Sequence, residues 1–480
     1  MSRRRSKLSA VNNVLLVVPV LVILSGCSRV DFDQSLAKTN RLAAQFTQGQ
    51  LVLAQTREQR EEFQRIAGEL LQNPLSQNDA VILALVNSPR LQALLARNWA
   101  DAASAAQTAR IANPVLTIER LRSVNEVELS SLLAFGLLDL LTLPQRHSRA
   151  QRLLERAQLQ LTSDVVAQVT EVRRAWVKAV AAQQSLVYAR QVNDAAQASA
   201  ELARLLESVG NYSRLQRARQ QAFYAEAVTA YATAQHLALA QKEALIRLLG
   251  LTDDQAQILA LPERFPELPP APLSPDAVGK TAGAARLDIQ LAQADYAAAA
   301  MEQGLTTITS FTDIKLGLRH ERVEDRAAGE KTTKRGFEVG VRLPLFDWGD
   351  AQRDAMNART LAASSHFEAT VRAAGSTLRQ SYSAYRTAYD VARHYRDEVV
   401  PLRKAISEEN LLRYNGMLIS VFELLADSRE QVKSVMSALA VEEQFWLSDA
   451  VLHASLIGQP SVAAVGFTPG GEDEPGDALH

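Results

Sequence analysis

Residues 145–250 contain no proline, and their one interior glycine is Gly210. Alanine, leucine, glutamine, arginine and glutamate dominate this stretch, and all five favour helix. As one helix, residues 145–209 would extend about 97 Å at about 1.5 Å per residue. Helices in ordinary globular cores are far shorter, so this length indicates a coiled coil or a helical tube.

The break in this stretch lies at Gly210 and Asn211, and Ser213 behind them is suited to cap a second helix. The pattern therefore predicts a long helical hairpin. A second tract, residues 349–458, has the same form, with a break at Asn415 and Gly416 and a kink predicted at Pro401. Apolar residues from Leu418 to Trp446 recur at alternating steps of three and four, as in a coiled-coil seam.

Each long tract is preceded by strand-like segments. Val115–Arg122 and Glu128–Leu141 precede the first tract, although the leucine-rich end of the latter suits strand or helix equally. Before the second tract, alternating residues begin at Ile314 and again at Phe337, which predicts two strands joined by the polar segment His320–Arg335.

These elements recur at an offset of nearly 200 residues, since Leu143-Pro144 returns as Leu343-Pro344. The chain is therefore predicted to hold two copies of one plan, separated by a proline-rich segment. The predicted divisions are a signal peptide at 1–26, a lipidated leader at 27–74, a first repeat at 75–250, a linker at 251–275, a second repeat at 276–458 and a disordered tail at 459–480.

The N-terminus combines a basic start, a short apolar core and the run Leu24-Ser25-Gly26-Cys27. The first two features are typical of a secretory signal. The run resembles the lipobox of bacterial lipoproteins, which implies lipidation of Cys27. Ser28 in the next position resembles the pattern of lipoproteins sorted to the outer membrane. The alternative is an ordinary signal with an incidental cysteine.

Composition favours neither catalysis nor nucleic-acid binding. The formal net charge is −1. Cys27 is the one cysteine, which excludes a cysteine-based zinc site. None of the seven histidines shares a metal-ligand spacing with another on one helix, and neither a nucleophile elbow nor a phosphate-binding loop is present. We therefore expect no enzyme activity, no metal and no cofactor.

Four amphipathic strands cannot close a membrane barrel, because such barrels begin at about eight strands. If these strands cross a membrane, the chain must form oligomers, and three copies would supply about twelve strands. Beyond the signal, the sequence has no apolar run near 20 residues, which argues against membrane-spanning helices. The alternative is a sheet that caps a helical rod in a structural, coiled-coil lipoprotein without a pore.

The duplicated plan resembles the TolC-like outer-membrane efflux family over about residues 75–457. The likeness depends on motifs that are weak singly and specific in this order: Leu143-Pro144-Gln145-Arg146, Leu343-Pro344-Leu345-Phe346-Asp347-Trp348-Gly349, Val209-Gly210-Asn211-Tyr212-Ser213-Arg214-Leu215 and Tyr414-Asn415-Gly416 with Ser420 and Glu423-Leu424-Leu425-Ala426.

The resemblance implies a mainly α fold with a small β part. Duplicated long helical hairpins would form a periplasmic α-barrel, and two β-hairpins per chain would contribute to a trimeric 12-stranded outer-membrane β-barrel. It also implies a passive exit duct of a tripartite efflux or type I-like secretion system in the bacterial outer membrane. The partners would be outer-membrane lipid, a periplasmic adaptor (membrane fusion) protein and an inner-membrane pump.

The resemblance further assigns the adaptor contact to the hairpin tips, Gly210, Asn211, Ser213, Gly416 and Ser420. In the family, four residues often read Gly-x-x-Ser from the turn glycine. Gly210 to Ser213 fits this pattern, whereas Gly416 to Ser420 carries one extra residue.

Acidic residues just after the second turn form a ring at the closed end of the tunnel in many members of the family. The helical frame places the first such acid at Glu423 and the second at Ala426, where the chain has no carboxylate. Asp427 is adjacent but points about 100° away. Glu423 and Asp427 are therefore the gate candidates. The alternative for Glu423 is a surface residue that the helix dipole favours.

Overall fold

The computed structural model describes residues 32–47, 49–124, 126–276, 278, 286–310, 312–325 and 328–459. The predicted signal sequence, Cys27 and the tail beyond residue 459 lie outside these residues. The short helix predicted at residues 276–279 falls largely outside them as well.

The first half of the chain begins with two leader helices, α1 (Phe32–Thr47) and α2 (Arg57–Leu70). Two short helices, a β-hairpin and a long helical hairpin follow in that order. The elements of the repeat are α3 (Gln77–Asn87), α4 (Pro89–Thr108), β1 (Val115–Arg122), β2 (Glu126–Gly136), α5 (Leu137–Leu141), α6 (Leu143–Ser208) and α7 (Arg214–Leu249).

The second half repeats this order after the short helix α8 (Asp253–Ile258). Its elements are α9 (Leu287–Thr309), β3 (Ile314–Asp325), β4 (Lys331–Val341), α10 (Asp350–His394), α11 (Val400–Asn415) and α12 (Val421–Ile457). The internal repeat and both helical hairpins are therefore present as the sequence predicts.

The kink predicted at Pro401 takes the form of a π-helical turn, Tyr395–Val399, directly before α11. Proline lacks an N–H, and its ring clashes with the carbonyl four residues earlier. A locally widened helix relieves this clash without ending the helix. The second hairpin therefore continues through the proline.

The four strands form one antiparallel sheet in the order β1-β2-β3-β4. β2 and β3 join the two repeats, with Leu133 opposite Leu318. Among the described residues, β1 and β4 have no strand partner on their outer edges. β2 ends at Gly136 and the chain turns into α5, so the leucine-rich segment Leu137–Leu141 is helical rather than extended.

The polar segment predicted between the last two strands, His320–Arg335, is mostly strand. β3 reaches Asp325 and β4 begins at Lys331, which leaves residues 326–330 as the connection. Lys334 Nζ lies 3.1 Å from Glu321 Oε1, and Lys331 Nζ lies 2.9 Å from Glu324 Oε1. Cross-strand pairs of opposite charge stabilise a ladder as apolar pairs do, so the charged residues extend the hairpin.

The leader packs against α6. Phe46 is buried, and its backbone carbonyl accepts a hydrogen bond of 2.7 Å from the Arg173 guanidinium. The same guanidinium lies 4.5 Å from the centroid of the Phe46 ring. Trp176 is fully buried one helical turn further on, and its indole Nε1 donates to the Leu75 carbonyl at 2.8 Å. The leader is thus part of the main hydrophobic core.

The predicted linker at 251–275 packs against both repeats. The hydroxyl groups of Tyr382 and Tyr389 on α10 each donate at 3.0 Å, to the backbone carbonyls of Leu273 and Pro269 respectively. Phe265 is buried beside Trp176, with ring centroids 6.2 Å apart. The prolines remove N–H groups that would otherwise need partners, which lets this extended segment lie against the helices.

Partly buried titratable residues on α12 predict a pH-dependent stability. Burial raises the pKa of Glu442 and Glu443, and a hydrogen bond with Asp449 raises the pKa of His453. Groups whose folded-state pKa is raised contribute stability below their unfolded pKa and lose it as pH rises through the folded value. We therefore expect the melting temperature to fall as pH increases from about 5 to about 8. In the double variant Glu442→Gln/Glu443→Gln, the melting temperature should depend much less on pH. Glu430 is exposed on the same helix, so Glu430→Gln should keep the pH dependence of the wild type.

Candidate channel surfaces and hairpin tips

The tip of the first hairpin closes with a left-handed glycine. Gly210 has φ +78°, the Asn211 N–H donates to the Leu206 carbonyl at 2.9 Å, and the Gly210 N–H donates to the Glu207 carbonyl at 2.9 Å. This pattern satisfies the last carbonyls of α6. Ser213 then caps α7, because its Oγ accepts from the Gln216 N–H at 3.2 Å and the Gln216 side chain accepts from the Ser213 N–H at 3.0 Å.

The second tip has the same geometry, with Met417 in the left-handed position. The Leu418 N–H donates to the Arg413 carbonyl at 2.8 Å, and the Met417 N–H donates to the Tyr414 carbonyl at 2.9 Å. Met417 has φ +59°, whereas Gly416 has φ −80°. Gly416 is therefore not the left-handed residue of the turn. The extra residue before Ser420 prolongs the helix end, and the four-residue frame from Met417 to Ser420 matches that from Gly210 to Ser213.

Replacing Met417 by glycine should therefore stabilise the second tip by about 1 kcal/mol, because a side chain disfavours the left-handed conformation. Hydrogen exchange at the Leu418 amide should slow in Met417→Gly. Gly416→Ala is the matched control, because Gly416 has a negative φ and an added Cβ would meet nothing closer than 3.5 Å. Slower exchange in the alanine variant alone would contradict this assignment of the turn.

Glu423 forms a capping box at the start of α12. Its Oε2 accepts from the Ser420 N–H at 2.8 Å, and the Ser420 Oγ accepts from the Glu423 N–H at 3.2 Å. The carboxylate thus lies over the helix N-terminus, where it satisfies a free N–H and interacts favourably with the helix dipole. One turn further on, Asp427 is partly buried, and its Oδ2 has no hydrogen-bond partner among the described residues. Asp427 thus has a buried carboxylate oxygen without a partner, whereas Glu423 is exposed.

Three contacts join the two hairpins near their tips. The rings of Tyr212 and Phe422 stack with centroids 4.3 Å apart and an interplanar angle of 17°. The Arg429 guanidinium lies 3.5 Å from the centroid of the Phe223 ring and donates to the Gln220 side chain. Burial lowers the pKa of Arg429, so its charge is partly desolvated between the helices. The sequence placed aromatic residues next to both turns but could not indicate which of them meet.

The four-stranded sheet has one apolar face and one polar face. We call the apolar face the side that carries the cross-strand row Leu116, Leu133, Leu318 and Phe337. These side chains are exposed, Phe337 to 77%. The opposite side, the polar face, carries cross-strand ion pairs, with Arg319 Nη2 lying 2.9 Å from Glu338 Oε2. A wall between lipid and water requires this alternation.

The loop between β4 and α10 extends the exposed apolar surface of the sheet towards the long helices. Phe346 is 99% exposed and Trp348 is 59% exposed, and Leu343 and Leu345 beside them are exposed as well. Aromatic side chains are enriched where a membrane meets water, because their rings tolerate both environments. The loop is therefore suited to the inner boundary of the membrane, next to the long helices.

In the part of the chain that the structure describes, no cluster of three or more His, Cys, Asp or Glu side chains is arranged to hold a metal ion. In the same residues, no single helix is long and apolar enough to cross a membrane; α3 and α4, bent by 54°, meet the length and composition criteria as a pair.

A protein-family model and several solved structures match this chain. A family model described as outer membrane efflux protein matches residues 278–408. A membrane protein from Pseudomonas aeruginosa has 19% identity and a TM-score of 0.62, with 82% of this chain and 93% of that chain covered. The Campylobacter jejuni CmeC outer membrane channel has 13% identity and a TM-score of 0.64, with 83% and 87% covered. The open-state Neisseria gonorrhoeae MtrE outer membrane channel has 18% identity and a TM-score of 0.59, with 83% and 89% covered.

No curated protein matches the chain by sequence. Residues 278–408 nevertheless match the outer membrane efflux protein model, and the chain has the fold of the outer-membrane channels named above. The resemblance drawn from the motifs is thereby confirmed. The comparisons leave the roles of individual tip and gate residues as predictions.

Proposed function

We propose that this chain is the outer-membrane exit duct of a tripartite efflux or secretion system, through which substrates pass passively. One observation carries the proposal: the four-stranded sheet has an exposed apolar face, and both of its edges lack a strand partner among the described residues. The sheet is joined directly to two helical hairpins, the longest arm of which has 66 residues. A free sheet edge in lipid leaves N–H and C=O groups without partners, so the edges require further strands.

Three copies complete the barrel. The β4 edge of one chain would pair with the β1 edge of the next, and 12 strands would close around a pore. The long hairpins of the three chains would continue this wall through the periplasm. The hairpin tips would contact a periplasmic adaptor protein that is coupled to an inner-membrane pump, which supplies the energy. The duct itself is not expected to be an enzyme.

The mass of the protein in mild detergent tests this assembly. Protein extracted from outer membranes should behave as three copies of the chain, and its sheet should resist protease. A stable monomer in the same detergent would contradict the closed barrel. It would favour a coiled-coil spacer lipoprotein without a pore.

We also propose that Cys27 carries a lipid, on the basis of the run Leu24 to Cys27 behind an apolar core. Metabolic labelling with a radioactive fatty acid should mark the wild type but not Cys27→Ser. The variant should still assemble, because the apolar face of the sheet gives a second membrane attachment. Equal labelling of both proteins would refute lipidation at this position.

A further inference from the structure

Beyond the row that ends at Phe337, the apolar face changes character towards the strand connections. On β1 this face continues with Ile118 and then Arg120 and Arg122, and on β3 it continues with His320 and Arg322. On β4 the next residue is Arg335, which lies opposite His320 in the register. We call Arg120, Arg122, Arg322 and Arg335 the arginine belt.

Negative charge on its own side does not balance the arginine belt. All four side chains are exposed, and none forms an ion pair with a described acidic residue. Lys331 on the same face is paired with Glu324. This face of the sheet thus carries five basic residues and one acidic residue, whereas the polar face carries three basic and six acidic residues. In the proposed barrel, this excess of positive charge would lie on the side that faces away from the pore.

The spacing of the belt suits phosphate groups at the level of lipid headgroups. Arg120 and Arg322 lie opposite Leu129 on either side of it, so their backbones are about 10 Å apart at about 4.8 Å per strand step. Arg335 lies one cross-strand row closer to the apolar rows. A guanidinium binds phosphate oxygens through two parallel N–H donors.

We propose that the arginine belt binds the phosphate groups of the phosphorylated glycolipid in the outer leaflet, the lipid A part of lipopolysaccharide. The proposal rests on the proposed function: with the long hairpins in the periplasm, the strand connections at the opposite end of the sheet would lie at the outer surface. Charge complementarity argues for a phosphate ligand. Continuity of the belt with the exposed apolar rows argues for a ligand that also has acyl chains, because one molecule would then cover both surfaces.

The test measures lipid binding to the purified, full-length protein in mild detergent, with diphosphorylated lipid A as the probe. The belt variant Arg120→Gln/Arg322→Gln/Arg335→Gln removes three positive charges. The variant Lys315→Gln/Arg319→Gln/Lys334→Gln removes three positive charges from the polar face and is the matched control. Each basic residue near an anionic lipid surface contributes about fivefold in affinity. The belt variant should therefore bind at least tenfold more weakly, and the control should stay within about twofold of the wild type.

Two further binding measurements show whether the belt binds the phosphate of the lipid or free phosphate. Dephosphorylated lipid A should bind the wild type as weakly as diphosphorylated lipid A binds the belt variant. Inorganic phosphate at the same concentration should not displace the lipid. Equal loss in both variants, or full displacement by inorganic phosphate, would overturn the proposal. Channel conductance of the same preparations separates this result from a failure of the proposed function.

Discussion

Gly250→Ala should destabilise the protein by about 2–5 kcal/mol. Gly250 ends α7 with φ +68°, and an added Cβ would lie 2.4 Å from Pro89 Cδ and 2.9 Å from Ser88 Cα. Asn87 reinforces this contact by donating from its side-chain amide to the Gly250 carbonyl at 2.9 Å. The left-handed conformation costs a side chain about 1–2 kcal/mol, and overpacking against backbone adds about 1–3 kcal/mol.

Gly458→Ala should have a similar effect, since Gly458 occupies the same place in the second repeat. It ends α12 with φ +89°, and an added Cβ would lie 2.6 Å from Asp288 Oδ1 and 2.7 Å from Leu287 N. In both repeats, therefore, a left-handed glycine lets the end of the returning hairpin arm contact the start of the helix that leads to the strands.

Gly210→Ala is the matched control for both variants. Gly210 is also left-handed, with φ +78°, but an added Cβ would meet nothing within 4 Å. Only the conformational cost of about 1–2 kcal/mol is expected there. Denaturant unfolding should show a large loss in the free energy of unfolding for Gly250→Ala and Gly458→Ala and a small loss for Gly210→Ala. Equal losses at all three positions would mean that the close approach of the helices contributes nothing to stability.

Removing the contacts between the hairpin tips should increase the open probability of the channel. Arg429→Ala removes the cation–π contact with Phe223 and the hydrogen bond to Gln220, and Phe422→Ala removes the stack on Tyr212. Contacts of these types contribute about 0.5–2 kcal/mol each. Even about 1 kcal/mol per chain, lost in all three chains, would shift a closed-to-open equilibrium by more than about a hundredfold. Leu215→Ala, which removes an exposed apolar side chain near the same tip, is the control.

Variants of the two gate candidates test the gate hypothesis in the same channel recordings. Glu423→Gln keeps an acceptor for the Ser420 N–H, so the helix cap should persist while the charge is lost. If Glu423 lines the constriction, block by divalent cations should weaken in this variant, and Asp427→Asn reports in the same way on the second candidate. An unchanged block in both variants would place the constriction elsewhere. Simultaneous loss of helix stability in Glu423→Gln would show that the cap requires the charge.

Local composition predicted much of the fold. The scarcity of proline and glycine in two tracts predicted the long hairpins, and the return of Leu143-Pro144 as Leu343-Pro344 predicted the repeat. The first strand was predicted at its observed limits, because Asn113-Pro114 ends the preceding helix directly before it. In each case the signal lies within a few residues of the element that it specifies.

The errors arose where distant residues determine the outcome. Charged residues between His320 and Arg335 suggested a loop, but Lys334 and Glu321 pair across the hairpin and extend both strands. Methionine carries no turn signal, so the sequence predicted the break at Gly416 and gave no indication of the left-handed Met417. The contact of Arg429 with Gln220 joins residues 209 positions apart, and no local pattern predicts it.

Single-channel recording of the purified protein in a planar lipid bilayer tests the central claim most directly. The protein should insert as a trimer and give discrete conductance steps, and the variant Arg429→Ala/Phe422→Ala should be open for a larger fraction of the time. The acidic excess on the polar face predicts that cations carry most of the current. Protein that is folded and bound to the bilayer but passes no current, in the wild type and in the tip variant alike, would contradict its assignment as an exit duct.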